Sequence, residues 1–334
     1  MDKKLRVAVC GIGNMGRGHS EHLLKMEEVQ LVAICDEFPG AAEKFIADKG
    51  IDCLAYTDYE EMFDKVPLDA VYICLPPFCH KGQVEAAAAK GIHVFIEKPI
   101  ALTVERGQSM AKAVTEHGVY SQVGYQMRFG GAVKRLLELM ANGEAGRVTL
   151  FSASYECNSL HSNWWRVKEM CGGQIFEQII HLYDMAQYLC GKAVDVSGRV
   201  ANLVHTDVPD YTIEDTSVAN IVFESGALGC ITGSNCAVKE QWNARFRVVC
   251  ANLVAAFEDF NHATITYTAG DKQGQTEVID VDDDVSMMED IYFIHTILGE
   301  NAPFATIADG LADLKLVAGV VQSSEHNGEV IRLN

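Results

Sequence analysis

A glycine-rich turn near the N-terminus limits the possible folds more than any other stretch. Residues 7–16 read VAVCGIGNMG, an apolar run that leads directly into Gly11, Gly13 and Gly16. Gly11 permits a tight turn, Gly13 lets the backbone approach a pyrophosphate, and Gly16 lets the next helix pack closely on the strand. The pattern predicts a strand, turn and helix that hold a dinucleotide at the positive helix N-terminus. The predicted cofactor contacts also include the residues between the glycines, Ile12, Asn14 and Met15.

A carboxylate after the second apolar run distinguishes between two dinucleotides. The run VQLVAIC at residues 29–35 ends at Asp36, twenty positions past Gly16. A carboxylate there accepts hydrogen bonds from both ribose hydroxyls and repels a 2′-phosphate. The next three residues, EFP at 37–39, contain no cation that would hold such a phosphate. The sequence predicts NAD rather than NADP, against the alternative that Asp36 only caps a strand.

Composition argues against several classes of protein. The chain has 334 residues, room for two domains, and its 27 basic against 46 acidic residues give a formal charge of −19. Such a charge disfavours nucleic acid or an anionic membrane surface as a partner. No apolar run approaches the length of about 18 residues that spans a membrane, and the N-terminal run enters the glycine turn without a signal-peptide cleavage site. The eleven cysteines are scattered without any C-x-x-C, so we predict a reduced, cytoplasmic protein without a zinc site.

Strands and helices alternate along the first 124 residues. The runs AVYICL at 70–75 and IHVFI at 92–96 are apolar on both faces, which is typical of parallel strands covered by helices on both sides. Helical patterns lie between the strands, at 15–26, 40–49, 81–90 and 103–117. We therefore predict an α/β fold whose first domain, residues 1–124, is a Rossmann-type, doubly wound parallel sheet that binds the dinucleotide.

Ligands of such sheets bind beyond the carboxyl ends of the strands. The segment PPFCH at 76–80 follows one strand, and Glu97, Lys98 and Pro99 follow the next. Adjacent strand residues point to opposite faces, so Glu97 and Lys98 cannot share one role, and one of them should face the crevice. The cofactor contacts predicted at these strand ends are Leu75, Pro76, His80, Glu97 and Lys98.

The second part of the chain is β-rich. Strand patterns occur at 148–156, 197–205, 216–223, 227–234, 245–257 and 263–268, with helices at 132–141, 174–189, 286–298 and 308–324. These patterns predict an α+β domain at 125–334, with a large, mostly antiparallel sheet that serves substrate binding and oligomerisation. A sheet face without helices must be buried against another surface, so we expect a homodimer or homotetramer in which a second subunit covers it.

Five motifs occur in the order of a known family: GIGNMG, LPPFCH, EKP at 97–99, GYQMRF at 124–129 and GGQIFEQIIHLYD at 172–184. Over essentially its whole length the chain resembles the glucose-fructose oxidoreductase, inositol dehydrogenase and rhizopine-catabolism (Gfo/Idh/MocA) family of NAD(P)-dependent sugar oxidoreductases. The resemblance implies that Lys98 and His181 flank the reacting carbon over the nicotinamide. It also places the 76–80 loop, Trp165 and Arg166 near the nicotinamide end.

The chain departs from the family pattern at two positions. Glu177 stands where the family usually has an aspartate that completes the catalytic set, and Ile179 stands where a glycine is common. Both changes put the usual inositol or glucose substrate in doubt.

His181 suits the role of a general base. Oxidation of an alcohol removes the hydroxyl proton while hydride leaves the same carbon, and imidazole exchanges protons near neutral pH. Glu177 lies four positions earlier on a predicted helix, so it would share a face with His181 and orient the imidazole. Asp184 continues that face. Lys98 would lie near the cationic nicotinamide, which favours its neutral form or a role as hydrogen-bond donor to the developing alkoxide, with a surface strand end as the alternative.

Further substrate candidates come from two segments. Tyr125, Gln126 and Arg128 are expected to line the crevice at the domain boundary, where Gln126 would contact the cofactor and the other two the substrate, with a structural ion pair as the alternative for Arg128. Trp164 and Trp165 would form an apolar platform for a sugar ring, with core packing as the alternative. Weaker candidates, with structural roles as equal alternatives, are His161, His80 and Asn163.

Three functions are compatible with these residues. The leading one is an NAD-dependent dehydrogenase that acts on a secondary hydroxyl of a pyranose, a cyclitol or a derivative. The second is a glycosidase with tightly bound NAD, which oxidises C3 transiently, eliminates the aglycone and returns the hydride. The third is a non-catalytic NAD-binding regulator, which the presence of both Lys98 and His181 disfavours.

Overall fold

The computed structural model describes residues 4–333 and contains fifteen strands and eleven α-helices in that range. The strands are β1 (Leu5–Cys10), β2 (Val29–Cys35), β3 (Leu54–Tyr56), β4 (Ala70–Ile73), β5 (His93–Ile96), β6 (Ser121–Val123), β7 (Val148–Cys157), β8 (Ala193–Ala201), β9 (Thr216–Phe223), β10 (Leu228–Ser234), β11 (Trp242–Cys250), β12 (Leu253–Phe257), β13 (His262–Tyr267), β14 (Thr276–Asp280) and β15 (Ile331–Arg332). The helices are α1 (Asn14–Leu23), α2 (Ala41–Lys49), α3 (Tyr59–Lys65), α4 (Gln83–Ala89), α5 (Val104–His117), α6 (Gly131–Ala141), α7 (Lys168–Cys171), α8 (Gln174–Glu177), α9 (Ile180–Cys190), α10 (Val285–Ile297) and α11 (Ile307–Glu325).

The chain forms two compact units. The first comprises residues 4–124 and Ser286–Leu311, and the second comprises Tyr125–Val285 and residues 312–333. The predicted division also fell after residue 124, but it assigned Ser286–Leu311 to the second domain. The segment belongs to the first unit because Phe293 and Ile294 of α10 join the same apolar core as Tyr72 and Phe95.

The first unit contains a six-stranded sheet in the order β3-β2-β1-β4-β5-β6, and every neighbouring pair is parallel. The strand order reverses between β1 and β4, and such a switch point opens a ligand crevice at the carboxyl ends of the strands. The predicted doubly wound parallel sheet is confirmed. The short strand β3 and the helix α3 after it were not predicted, because β3 is only three residues long and no residue in it is fully buried.

Local capping explains where several helices of this unit begin and end. The Asp58 carboxylate accepts hydrogen bonds from the backbone N–H groups of Glu60 and Glu61 at the start of α3, and Thr103 accepts from the N–H of Arg106 at the start of α5. Helix α5 ends at Gly118, whose φ of 64° lies in the left-handed region.

The second unit is built on a nine-stranded sheet in the order β14-β13-β12-β11-β7-β10-β9-β8-β15. Strands β7 and β10 run parallel, and the other neighbouring pairs with described register are antiparallel. The predicted mostly antiparallel sheet is confirmed. The single strand predicted at 245–257 is wrong, because the chain reverses at Ala251 and Asn252, where the backbone N–H groups bond to Arg147 and Ala145. Among residues 4–333, the helices are all too short or too polar to span a membrane.

Candidate active site

The glycine turn after β1 is held by close backbone contacts. Gly11 has a φ of 89°, and a Cβ added there would lie 2.5 Å from the carbonyl oxygen of Cys74. A Cβ on Gly16 would lie 1.8 Å from the carbonyl oxygen of Gly11. A side chain at either position would therefore open the turn. Gly13, in contrast, has no protein atom within 4 Å of an added Cβ, which leaves room for a phosphate.

The start of α1 suits an anion. The helix is ten residues long, its N-cap is Gly13, and no side chain caps its first N–H groups. Uncapped N–H groups and the helix dipole together favour a phosphate at this position. The turn therefore fits the pyrophosphate of a dinucleotide.

A cavity of about 270 Å³ lies beside this turn and is lined by Gly11, Asp36, Leu75 and neighbouring residues of the first unit. Asp36 is fixed at its edge, because its carboxylate accepts hydrogen bonds from the backbone N–H groups of Ile12 at 2.8 Å and Phe38 at 3.0 Å. The cavity wall holds four carboxylates, Asp36, Glu37, Asp58 and Glu60, against one cation, Lys81. This charge disfavours a 2′-phosphate and fits the ribose of NAD.

Asp36→Ala is expected to weaken NAD binding by about 10-fold to 100-fold, because charge-assisted hydrogen bonds to the ribose are lost. NADP binding should weaken less, because the same change removes the repulsion of the 2′-phosphate. Titration of each cofactor by fluorescence measures both effects. Asp48→Ala, which removes an exposed carboxylate of α2, should leave both affinities unchanged. Equal losses for NAD and NADP would contradict the role assigned to Asp36.

The loops after β4 and β5 are joined through His80. Its Nδ1 lies 2.8 Å from the carbonyl oxygen of Ile100, and its Nε2 lies 3.0 Å from that of Leu75. Burial lowers the pKa of the His80 imidazole. Through its contacts with Ile100 and Leu75, the His80 ring connects the 76–80 loop to the segment after Lys98. A direct contact of His80 or Pro76 with the cofactor stays a prediction.

Glu97 and Lys98 have different surroundings, as their adjacent positions require. The Glu97 side chain is buried, and its carboxylate lies 3.0 Å from Nε2 of His19 and 3.2 Å from the backbone nitrogen of Lys98. Lys98 is half-buried, and its peptide bond to Pro99 is cis. Lys98 is thus the more accessible of the two for a ligand.

In the second unit, the single helix predicted at 174–189 is wrong. Helix α8 ends at Glu177 and α9 begins at Ile180, with Gln178 at φ −110° between them. The N–H of Ile179 bonds to the carbonyl of Gln174, five residues back, and the N–H of His181 bonds to Gln178, three residues back. The spacing of Glu177 and His181 therefore does not imply a shared helix face or a contact between their side chains.

Glu177 has a partner that the sequence did not indicate. The indole Nε1 of Trp165 donates a hydrogen bond to the Glu177 carboxylate, and Trp165 is buried. Trp164 instead packs against an apolar cluster of Cys171, Tyr211 and Ile213. Core packing thus describes both tryptophans better than an open platform does. Arg166, the predicted neighbour of the nicotinamide, donates to the Asn163 side chain at 2.8 Å.

Arg128 and Asp184 form a buried ion pair. The Arg128 Nε lies 3.0 and 3.1 Å from the two carboxylate oxygens, and both side chains are nearly inaccessible. The Arg128 guanidinium also lies 4.6 Å from the Tyr188 ring centroid. These contacts favour the structural alternative for Arg128 over a substrate contact, and the same holds for Asp184.

Tyr125 is fully buried, and its ring packs edge-on against His181 with 6.2 Å between the centroids. Burial raises the pKa of the Tyr125 hydroxyl. Its position supports the His181 imidazole from one side. Gln126 begins the 3-10 turn Gln126–Phe129 and is half-buried, and its predicted contact with the cofactor stays a prediction.

Several buried ionisable residues near these segments were not predicted. His19, Glu289 and Asp290 belong to the first unit, whereas Glu214 and Asp313 belong to the second. Burial raises the pKa of the carboxyls of Glu214, Glu289 and Asp313. Only His19 carried a signal in the sequence, since it lies three residues after Gly16 on the helix that follows the glycine turn.

Comparison with known proteins agrees with this geometry. Residues 5–125 match the family model described as an oxidoreductase family with an NAD-binding Rossmann fold, and residues 133–254 match the GFO/IDH/MocA C-terminal domain. The scyllo-inositol 2-dehydrogenase (NAD(+)) of Bacillus subtilis is 30% identical over 70% of this chain and 68% of that protein. The myo-inositol 2-dehydrogenase of Thermotoga maritima is 31% identical over 70% of each chain.

Two further similarities extend over nearly the whole chain. The D-glucoside 3-dehydrogenase of Escherichia coli is 26% identical over 96% of this chain and 95% of that protein. The solved structure of a levoglucosan dehydrogenase in complex with NADH superposes with a TM-score of 0.91 over 99% of this chain and all of that one, at 19% identity, and so shares its fold. The chain belongs to the Gfo/Idh/MocA family of oxidoreductases and is an NAD-dependent enzyme.

Proposed function

We propose that the protein is a dehydrogenase that oxidises a secondary hydroxyl of a sugar, a cyclitol or a sugar derivative and transfers the hydride of the carbinol carbon to NAD. The acid-lined cavity beside the glycine turn, with Asp36 at its edge, carries this proposal. The names of the relatives support it, since they include a scyllo-inositol 2-dehydrogenase, a myo-inositol 2-dehydrogenase and a D-glucoside 3-dehydrogenase.

In the proposed reaction, His181 accepts the proton of the hydroxyl that is oxidised. Lys98 donates a hydrogen bond to the oxygen on which negative charge develops. Glu177, held by Trp165, orients the substrate or the imidazole. NAD, when bound, supplies the ring that accepts the hydride. The residues of the glycine turn and Asp36 bind its pyrophosphate and ribose.

The initial rate of NADH formation from purified protein, NAD and a panel of free pyranoses, cyclitols and methyl glycosides tests the proposed function. We expect one ring class to react, with NADP a poorer cofactor. If NAD binds and no compound in the panel yields NADH, the proposed substrate class is wrong.

A second candidate function is a redox glycosidase, and one observation favours it. Two exposed rings, those of His161 and Trp242, pack edge-on with 6.2 Å between their centroids. The Trp242 side chain is 46% exposed. His161 also packs on the buried Trp165 ring, which donates a hydrogen bond to Glu177. The exposed pair suits a substrate with a second ring beyond the one that is oxidised. Release of the aglycone without net formation of NADH would favour this candidate over the dehydrogenase.

We propose further that the protein forms a homodimer or homotetramer through the open face of the second-unit sheet. Leu228 on β10 is paired with Leu150 on β7 and with Val222 on β9, so the three side chains share one face. All three are exposed, Leu228 by 54%. A cross-strand apolar patch of this kind is typical of a contact surface.

The eleven free thiols support a cytoplasmic location.

Leu228→Glu is expected to shift the protein toward monomer, because it places a charge inside the proposed contact. Sedimentation velocity measures the change. Val278→Glu is the control, since Val278 is 70% exposed on the edge strand β14 and lies outside the patch. A wild-type protein that sediments as a monomer at micromolar concentration would contradict the proposed assembly.

A further inference from the structure

A buried chain of hydrogen bonds leads from helix α1 to the residue before Lys98. The His19 side chain is 1% exposed, with Nε2 at 3.0 Å from the Glu97 carboxylate and Nδ1 at 2.8 Å from the Asp290 carboxylate. The second oxygen of Asp290 lies 2.7 Å from Nδ1 of His22. All four side chains belong to the first unit.

The His19 imidazole bridges two carboxylates, and only its doubly protonated form donates to both. Burial by itself lowers the pKa of His19, but the charge of Asp290 and the hydrogen bonds to Asp290 and Glu97 outweigh it and hold the pKa well above its usual range. The ring also packs on Phe95 and Tyr72, with 4.8 and 5.5 Å between the centroids. The geometry and the raised pKa of His19 thus favour the protonated imidazole between the side chains of Asp290 and Glu97.

Three other ionisable groups from neighbouring elements face this cluster. Burial raises the pKa of the Glu289 carboxyl on α10, which favours its neutral form, and burial likewise raises the pKa of the Cys74 thiol, to about 12. The Tyr72 ring on β4 contacts His19, and burial raises the pKa of the Tyr72 hydroxyl. Burial thus favours the uncharged forms of these three groups, and the hydrogen bonds of the cluster join His19, His22, Glu97 and Asp290.

The other side of the Glu97 carboxylate faces Lys98. Its Oε2 accepts from the backbone nitrogen of Lys98 at 3.2 Å. Gly124 leaves the space for this arrangement, because a Cβ there would lie 3.0 Å from the same oxygen. The Glu97 carboxylate is thus confined by His19 on one side and by Gly124 and the Lys98 backbone on the other.

The alternative interpretation of His19, His22 and Asp290 is a metal-binding site, since one ligand atom of each residue lies within 4.8 Å of the other two. The two imidazole nitrogens, however, lie 2.8 and 2.7 Å from different oxygens of Asp290. A tetrahedral ion between these groups would hold nitrogen and oxygen about 3.3 Å apart. The imidazoles are therefore arranged around the carboxylate as hydrogen-bond donors.

We propose that His19 is a positioning residue that holds the Glu97 carboxylate on the backbone N–H of Lys98 and thereby fixes the place of the Lys98 side chain. The inference rests on the proposed role of Lys98 in hydride transfer. A displacement of about 1 Å at a reacting group lowers turnover by up to about 100-fold. Loss of the His19 side chain, which acts on Lys98 through Glu97, should therefore have a measurable effect on turnover.

The test compares His19→Gln with His22→Gln in the full chain saturated with NAD. His22 lies on the same helix and contacts the same Asp290 but has no described bond to Glu97. In His19→Gln we expect amide hydrogen exchange at Lys98 to accelerate by about 10-fold or more, and kcat to fall by about 10-fold to 100-fold with the Kd of NAD unchanged. In His22→Gln the exchange rate and kcat should stay within about 2-fold of wild type. If His19→Gln does not fold, Glu97→Gln should accelerate exchange in the same way.

Three results separate the possible failures. Unchanged exchange at Lys98 in His19→Gln would overturn the proposal, and so would a stoichiometric metal ion in native mass spectra that a chelator removes together with activity. Faster exchange with an unchanged kcat would support the role of His19 in positioning Glu97 and would contradict the catalytic role of Lys98 instead.

Discussion

Replacing His181 by alanine is expected to lower kcat by about 100-fold or more, because the hydroxyl proton then has no general base. His181 lies in α9 of the second unit, and the buried Tyr125 ring packs against it. It does not belong to the unit that contains the glycine turn, so the affinity for NAD should stay close to that of the wild type. Steady-state kinetics and cofactor titration measure the two quantities separately.

His326→Ala serves as the matched control, since this histidine is exposed near the end of α11 and should leave kcat unchanged. Should His181→Ala retain turnover but lose NAD, the role of the residue would be cofactor binding rather than proton transfer.

Lys98→Met is expected to reduce kcat by about 100-fold to 1,000-fold, the usual effect of removing one donor to a developing oxyanion. Methionine retains most of the length of the side chain but cannot donate a hydrogen bond. The backbone of residue 98 can still donate to Glu97, so the local fold should persist. The ratio of kcat for variant and wild type at saturating NAD is the measurement.

Lys90→Met is the control for the loss of a lysine, because Lys90 pairs with Asp64 on the protein surface and should not affect turnover. A Lys98→Met variant with full kcat and a raised KM would show that Lys98 contributes to substrate binding alone.

The parallel sheet of the first unit was predictable because its signals are local. Apolar strands 70–75 and 92–96 and the spacing of Gly11 and Gly16 lie within short windows, and the structure confirms a parallel sheet. The position of Ser286–Leu311 was not predictable, because an apolar helix face does not reveal which core it joins. The packing of Phe293 against Tyr72 and Phe95 and the hydrogen bond of Asp290 to His19 assign it to the first unit.

The break between α8 and α9 lacked a local signal, since neither Gln178 nor Ile179 is a helix breaker. Its cause is long-range. A Cβ on Gly233 would lie 2.0 Å from Cδ1 of Ile179, so the isoleucine side chain fills space that the glycine on β10 leaves. The Gln178 side chain accepts from the Cys157 thiol at 3.3 Å. The departure from the family glycine at 179 is therefore matched by a glycine on a neighbouring strand.

The catalytic candidates could be predicted from the sequence, but the residues that position them could not. Lys98, Glu177 and His181 came from motifs, whereas the partners of Glu97 and Glu177 are side chains distant in the chain or outside any recognised spacing. Arg128 and Asp184 are 56 residues apart, and His19 and Asp290 are 271 apart. Such pairs depend on tertiary structure, so one sequence cannot reveal them.

We predict that the carbon bearing a ring hydroxyl loses a hydride to NAD in a net oxidation. The most direct test is the ratio of NADH formed to sugar consumed, measured by absorbance and by product analysis in one reaction with the best substrate of the panel. We expect one NADH for each sugar converted to a ketone. Consumption of a glycoside with release of its aglycone and no lasting NADH would contradict the dehydrogenase.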